Sequence, residues 1–381
     1  MAHATGRIPL FVARGTHYDV GLQVGREYHH QIQYYINHHD WLEKYELFHK
    51  TPEGAKFCKS FWDVWDKHFP QYVEELKGLA EGASVQLLQL KLLHIERELA
   101  VHMKLFEKHF EASKGCTDVL VANEKNTIIG HNEDWISNMV GRDILLMAHI
   151  LPWTSKDGRK FPEEKFLVHT WPGLLPGMNS GFTKNGLVFS IDHLFPKTVS
   201  QGKLADLMLC RHVLTAKNFE EVISILEDDG RGAAVGFTIN IGFRKSKTIY
   251  SFELGPAVCG SKTPMHKSVV EPKKNSSYAH FNNYEHMKDV DALSLELCLD
   301  RRRCWESMSP ATDAKSVRSA LGDDSSQNYP IYEKFVEGHP ACTVATVILD
   351  IGKERMSFYQ HNPRDTGPLV CLPFSILDTD A

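Results

Sequence analysis

Hydrophobic and polar positions divide the chain into two parts with different periods. Through residues 16–110 apolar side chains recur at three- and four-residue spacings, which predicts helices and no clear strand. Residues 7–15 read as a short extended lead-in. Thr16 stands at an N-cap position, and Gly21 and Gly25, four apart, share a helical face that lets another backbone approach closely. The helical pattern continues over 26–49. Thr51-Pro52-Glu53 then starts a helix with Pro at its first position, carrying Phe57, Phe61, Val64, Trp65 and Phe69 up to Pro70. Another runs from Tyr72 to Leu79 and ends at Gly82, and Ser84 caps a long helix holding Leu87 to Val101.

Beyond Cys116 the period falls to two. Runs at 117–122, 126–130, 143–151, 165–171, 186–191, 236–243 and 248–254 combine β-branched residues with Asn, Gly and Asp punctuation, which suits antiparallel strands. Gly173 to Gly181 and 261–276 read as loops. Helices are predicted at 202–216, 219–228, 290–308 and 313–321, and a last hairpin joins 343–350 to 355–360. The order predicts an α+β fold of two stacked, mainly antiparallel sheets between helical layers. No repeat or linker frees a second domain, so the chain reads as one fold.

Composition narrows the function classes. At 381 residues, 42% apolar and 24% charged, the chain belongs with soluble globular proteins, and its net charge of −5 offers no basic footprint for nucleic acid. No run approaches the ~18 apolar residues of a membrane span. The start of the chain is too short and broken an apolar stretch for a signal peptide. The eight cysteines, at 58, 116, 210, 259, 298, 304, 342 and 371, show no Cys-x-x-Cys pair and no zinc-type spacing, so reduced thiols and a cytoplasmic location are expected. Among the 21 histidines, His29-His30 and His38-His39 are adjacent pairs that point about 100° apart on a helix and do not converge. Neither a metal nor a cofactor is expected.

The period changes at Lys114-Gly115-Cys116-Thr117-Asp118, and the chemistry gathers there. A thiol one bond from the Gly115 carbonyl can attack it and move the acyl group from nitrogen to sulfur. Glycine tolerates the strained backbone and blocks nothing. Hydrolysis of that thioester leaves Cys116 with a free α-amine, whose reference pKa of ~7.7–8.0 suits a general base near neutral pH. Nucleophile and base then belong to one residue. A hairpin later comes Gly130-His131-Asn132-Glu133-Asp134-Trp135.

These motifs, with Leu175-Pro176-Gly177-Met178-Asn179, Asn185-Gly186-Leu187 and His280-Phe281-Asn282-Asn283, fall in the order found in the penicillin acyltransferase-like family of N-terminal-nucleophile enzymes, which the chain resembles over nearly its whole length. The resemblance implies an αββα sandwich and a self-cleaved enzyme of two associated chains, 1–115 and 116–381. It implies Cys116 as nucleophile and, with Gly115, the cleavage point. Asp134 would orient the new amine, and Asn282 would bind the oxyanion. It also implies hydrolysis of a small N-acyl amine of the β-alanyl-dopamine or β-alanyl-histamine type. A β-alanyl ammonium needs a buried carboxylate, for which Asp118, Glu133 and Asp192 are candidates. Asn132 and Asn179, from the matching motifs, join the substrate-binding candidates.

Two departures stand out. A serine-rich stretch ending in arginine is replaced by Cys298-Leu299-Asp300-Arg301-Arg302-Arg303, where Arg303 is taken as the matching arginine. Asp192 stands where the family usually has asparagine. The alternatives are acyl transfer from a coenzyme A thioester to a small amine, or an inactive homologue. A papain-like peptidase lacks support because Cys116 has none of that family's local signature.

Overall fold

The computed structural model describes residues 6–109, 115–155, 157–227, 232–257, 262–272 and 277–379. Expectations touching residues 1–5, 110–114, 228, 273–276 and Cys259 lie outside them. A strand, β1 (Leu10–Gly15), leads into α1 (His17–Glu27), where Thr16 and Asp19 form a reciprocal capping box. Then come α2 (His29–His38), α3 (Leu42–His49), α4 (Pro52–His68), α5 (Pro70–Ala83), α6 (Leu87–Leu93), α7 (Glu96–His102) and α8 (Leu105–His109). Thr51 caps α4 through the Gly54 N–H, with Pro52 at the first helical position. Pro70 likewise begins α5.

Three expected helices change shape. The run over 26–49 breaks at Tyr28 and at His39–Trp41. Helix α5 continues past Gly82 and ends at Ser84, which has a left-handed conformation (φ 56°) and therefore closes α5 where a cap for the next helix was expected. The long helix to Val101 is divided at His94 and Ile95. There His94 turns its ring back to the Leu90 carbonyl and accepts the Leu175 N–H. Gly82 has another use: α1 and α5 cross so tightly that a Cβ on Gly21, Gly25, Gly78 or Gly82 would strike backbone of the facing helix.

The remainder runs β2 (Thr117–Ala122), β3 (Thr127–Ile136), β4 (Ile144–Ile150), β5 (Trp153–Thr154), β6 (Lys160–Phe161), β7 (Glu164–Thr170), β8 (Ser180–Thr183), β9 (Leu187–His193), α9 (Asp206–Val213), α10 (Phe219–Glu227), β10 (Phe237–Phe243), β11 (Ile249–Leu254), β12 (Met265–Val270), β13 (Ser277–His280), α11 (Glu296–Ser307), α12 (Ala314–Leu321), β14 (Ala341–Asp350), β15 (Arg355–Tyr359) and β16 (Val370–Pro373). One sheet has the order β1-β4-β7-β8-β9-β10-β11-β12 and the other β13-β2-β3-β14-β15-β16. Among the described strands only β1 and β4 pair in parallel. Strand β12 falls inside the stretch read as loop; its alternation is masked by His266, Lys267 and Ser268 on an edge strand.

The sheets stack, with helices outside. In β2, Leu120 and Ala122 join the large core shared with the eight-stranded sheet, while Val119 and Val121 pack with Val317 and Leu321 of α12. Ile129 and Ile128 of β3 divide the same way. The α+β sandwich expected from the alternating pattern is the architecture observed.

Candidate active site

The two-residue period of β2 and β3 sorts the polar residues at their ends as it sorts the apolar ones. Cys116 and Asp118 continue the inter-sheet face of Leu120; Thr117 pairs with Asn132 and Asp118 with His131. On β3, His131 and Glu133 therefore look between the sheets, and Asn132 and Asp134 look toward the helices.

Between the sheets lies a buried polar cluster. The Cys116 thiol donates to Glu133 Oε2 at 3.8 Å, and His131 Nε2 reaches the same oxygen at 3.2 Å. His131 Nδ1 lies 3.0 Å from Asp118 Oδ1, which also accepts from the Ser190 hydroxyl; Asp118 Oδ2 accepts from Asn240 Nδ2 at 2.6 Å. Asp192 sits 4.0 Å from His131 and 3.4 Å from His280, and His280 meets Glu253 at 3.1 Å.

Burial pushes the Cys116 thiol far up, the Glu133 charge adds to this, and a hydrogen bond to His131 opposes it. Burial and the Asp118 charge push Asp192 up to about 8, against the pull of His280. Burial works against a charge on His131, but Asp118 beside it holds the imidazole well above its ordinary value. Asp118 itself is held low by His131, in spite of burial. The environment thus favours the protonated thiol and a charged imidazole, both in contact with Glu133.

On the helix side, α11 supplies Arg301. Its Nη2 donates to Asp134 Oδ2 at 2.6 Å, and its Nη1 to the Gly115 carbonyl and, at 3.4 Å, to the Cys116 carbonyl. Thr343 of β14 donates to the other Asp134 oxygen at 2.6 Å. Burial pushes the Asp134 carboxyl up, with Arg301 opposing. A Cβ on Gly115 would fall on the Asn282 side chain, which would have to move away. Asn282 Nδ2 donates to the His193 carbonyl at 2.9 Å, and Cys298 Sγ lies 4.0 Å from its oxygen. The peptide bond joining Gly115 to Cys116 is therefore enclosed by a thiol, a guanidinium and a carboxamide. Next to Asp134 opens a cavity of about 140 Å³, whose walls include Trp135, His193 and Phe106.

The structure brings Gly115, Cys116, Asp134 and Asn282 together, with Glu133, Asp118 and Asp192 on the inter-sheet side. Three other expected residues behave differently. Arg303 does not line the site: its side chain is 63% exposed and pairs with Glu296 and Asp300. Helical spacing explains the correction, since Leu297, Cys298 and Arg301 form the buried face of α11 and position 303 turns away from it. Asn132 is not free for a substrate either. Its Nδ2 donates to the Leu321 and Ile331 carbonyls and its oxygen accepts from Thr346, which ties α12 to the sheet. Asn179 is buried, its carbonyl accepts the Ile191 N–H, and its side-chain amide nitrogen has no partner among the described residues.

Sequence reasoning passed over Arg301, His131 and Thr343. The signals were the shared face with Leu297 and Cys298 for the first, and for the second the alternation Ile129, His131, Glu133. Three sets of described residues could hold a metal ion: Cys116, His131 and Glu133; Asp118, His131 and Asp192; and Glu253, Glu285 and His286. The first two arise from strand pairing, which leaves no local ligand spacing in the sequence. No helix among the described residues is long and apolar enough to cross a membrane.

Comparison with known proteins matches residues 121–365 to the family model described as acyl-coenzyme A:6-aminopenicillanic acid acyl-transferase. The β-alanyl-dopamine/carcinine hydrolase of Drosophila melanogaster is 27% identical over 376 residues, covering 96% of each chain. Among solved structures, penicillin V acylase from Agrobacterium tumefaciens is similar at 11% identity and a TM-score of 0.35, over 64% of this chain and 82% of that one. A variant of the conjugated bile acid hydrolase from Clostridium perfringens is similar at 12% identity and a TM-score of 0.41, over 70% and 95%.

Proposed function

The chain belongs to the acyl-coenzyme A:6-aminopenicillanic acid acyl-transferase family, and from that membership we propose a self-processing cysteine amidohydrolase that cleaves small N-acyl amines. The observation that carries this reading is the enclosure of the Gly115–Cys116 peptide: the thiol at the head of β2, Arg301 on the Gly115 carbonyl, and Asn282 against Gly115.

In the uncut chain Cys116 has no amine to act as base. Glu133, held by His131, is the carboxylate that meets the thiol and takes its proton. The sulfur adds to the Gly115 carbonyl carbon, and negative charge develops on the oxygen that Arg301 already touches. A donor aimed at such an oxygen is typically worth ~10²–10³ in rate. Collapse breaks the C–N bond, the nitrogen takes a proton, and water hydrolyses the thioester. The products are a Gly115 carboxylate and a Cys116 α-amine.

The same thiol then attacks a substrate amide, with its own amine as base. Asn282, which spends one amide hydrogen on the His193 carbonyl, offers the other to the oxyanion. The amine leaves and water releases the acid from the thioester. The hydrolase of Drosophila melanogaster is named for β-alanyl-dopamine and carcinine, which supports a β-alanyl amine as the substrate class here.

The family's description names a coenzyme A thioester chemistry, and a thioester acyl-enzyme serves transfer as well as hydrolysis. The test is to incubate the purified protein with β-alanyl-dopamine and with β-alanyl-histamine, with and without coenzyme A. Release of β-alanine and the amine, independent of coenzyme A, is expected. Formation of β-alanyl-dopamine from dopamine and a β-alanyl-coenzyme A donor, in a parallel incubation, would assign transfer. No turnover of either amide under any condition would remove this substrate class.

A further inference from the structure

Three carboxylates looked suited to a substrate ammonium from the sequence, but Asp118, Glu133 and Asp192 do not line the cavity beside Asp134. They are spent on the inter-sheet cluster. Besides Asp134, which Arg301 and Thr343 already engage, the carboxylates that line it come from the helical segment before the cleavage point: Glu96 at the start of α7 and the exposed Asp40.

Glu96 is largely buried, its side chain 14% exposed. Its Oε2 accepts from His39 Nε2 at 2.7 Å and from the Tyr35 hydroxyl at 3.4 Å. Its Oε1 makes no hydrogen bond among the described residues. His39 Nδ1 accepts the Trp41 backbone N–H at 3.2 Å, which fixes the ring with Nε2 facing Glu96. His39 and Tyr35 thus both meet Oε2 and leave Oε1 to a ligand. Arg97, which also lines the cavity, has its guanidinium matched by Asp206 at 2.5 Å.

Around this anion stand aromatic rings. Trp41 and Phe106 meet edge to face at 5.6 Å, Phe106 and Phe195 at 5.2 Å, and Tyr35 and Tyr45 flank His39. A carboxylate with one oxygen open, set in an aromatic wall, attracts a cation twice, by direct charge and through ring faces. Asp134 and Trp135 line the same cavity, so a ligand held at Glu96 shares it with the end of β3.

We propose that Glu96, oriented by His39 and Tyr35, binds the ammonium group of a cationic N-acyl amine substrate, the Trp41, Tyr45 and Phe106 rings completing the site. The assignment rests on the amide-hydrolase reading for its ligand. It also gives the segment before Cys116 a part in recognition, since all these residues precede the cut.

The test compares two amides of one amine that differ only in charge, β-alanyl-dopamine and its butanoyl isostere, in which methyl replaces ammonium. The wild-type protein is expected to favour the β-alanyl amide about 10- to 100-fold in kcat/KM, the range of a charge-assisted hydrogen bond. In Glu96→Gln, which keeps the His39 contact, that ratio is expected to fall to within about threefold of unity. A wild-type ratio near one overturns the proposal without any variant, and so does a ratio that Glu96→Gln leaves unchanged. Calorimetric binding of both amides to Cys116→Ala, alone and with Glu96→Gln, separates this site from the hydrolase reading. Charge preference there, lost with Glu96→Gln, supports the site even if nothing is hydrolysed. Equal affinities overturn it even if both amides are cut.

Discussion

A guanidinium held between a carboxylate and a peptide carbonyl serves two ends: it matches the buried Asp134 and it polarises the Gly115 oxygen. Arg301→Gln keeps a polar side chain but removes the charge from that oxygen. We expect the appearance of the 116–381 chain, followed by mass spectrometry, to slow by ~10²-fold or more. Cleavage at the wild-type rate would take Arg301 out of the step. Asp192 allows a test of the inter-sheet cluster. Its carboxyl, pushed up to about 8 by burial and Asp118, keeps a proton in the folded chain that the unfolded chain loses near ~3.9. Folding stability from this group is thus full in acid and declines as pH rises through about 8. His131 and His280, both raised, lose their contributions in the same direction, above their unfolded value of ~6.5. Asp192→Asn removes one of the three titrations. The fall in thermal midpoint between pH 6 and pH 9 should be smaller in the variant, as measured by circular dichroism; parallel curves would show that Asp192 does not titrate there. Cys116, Asp134 and Asn282 were legible because motifs mark them. Arg301 was missed because a run of three arginines carries no label for the one that turns inward.

At the scale of elements, the strands declared themselves through alternation, and the helix starts through Thr16, Thr51 and their capping partners. What escaped were breaks made by tertiary contact. His94 interrupts a continuous leucine pattern because its ring is claimed by the Leu175 N–H from a loop 81 residues away in sequence. Strand β12 carries too little apolar surface to betray itself, being held by backbone pairing to β11. The crossing of α1 on α5 was legible in half, since Gly21 and Gly25 announced a close approach without naming the partner. Gly78 completes it: a Cβ there would overlap the Tyr18 carbonyl. Gly78→Ala should force the helices apart and lower stability by ~1–3 kcal/mol, in spite of alanine's better helix propensity. Urea unfolding measures it; a variant as stable as wild type would mean that the crossing relaxes freely.

The whole molecule is sewn together across the proposed cut. Arg211 of α9 lies fully buried between Glu75 of α5 (3.0 Å) and Glu164 of β7 (2.6 Å), with His17 closing the group against Glu75 at 2.8 Å. The Arg211 charge holds Glu164 down to about 2 in spite of burial. Arg97 makes a second such bridge, from α7 to Asp206. Arg211→Met leaves two carboxylates buried without their cation, which costs ~3–5 kcal/mol. If the chain is cut, its two parts should separate at lower urea in this variant, as size-exclusion chromatography would show; unchanged co-elution would place the association elsewhere. The most direct test of self-processing is the intact mass of the purified protein under denaturing conditions, beside that of Cys116→Ala. Two chains, of 115 and 266 residues (381 − 115), in the wild type and one uncut chain in the variant are expected. A single uncut chain in both would contradict the mechanism, because Cys116 would then have no free amine with which to act.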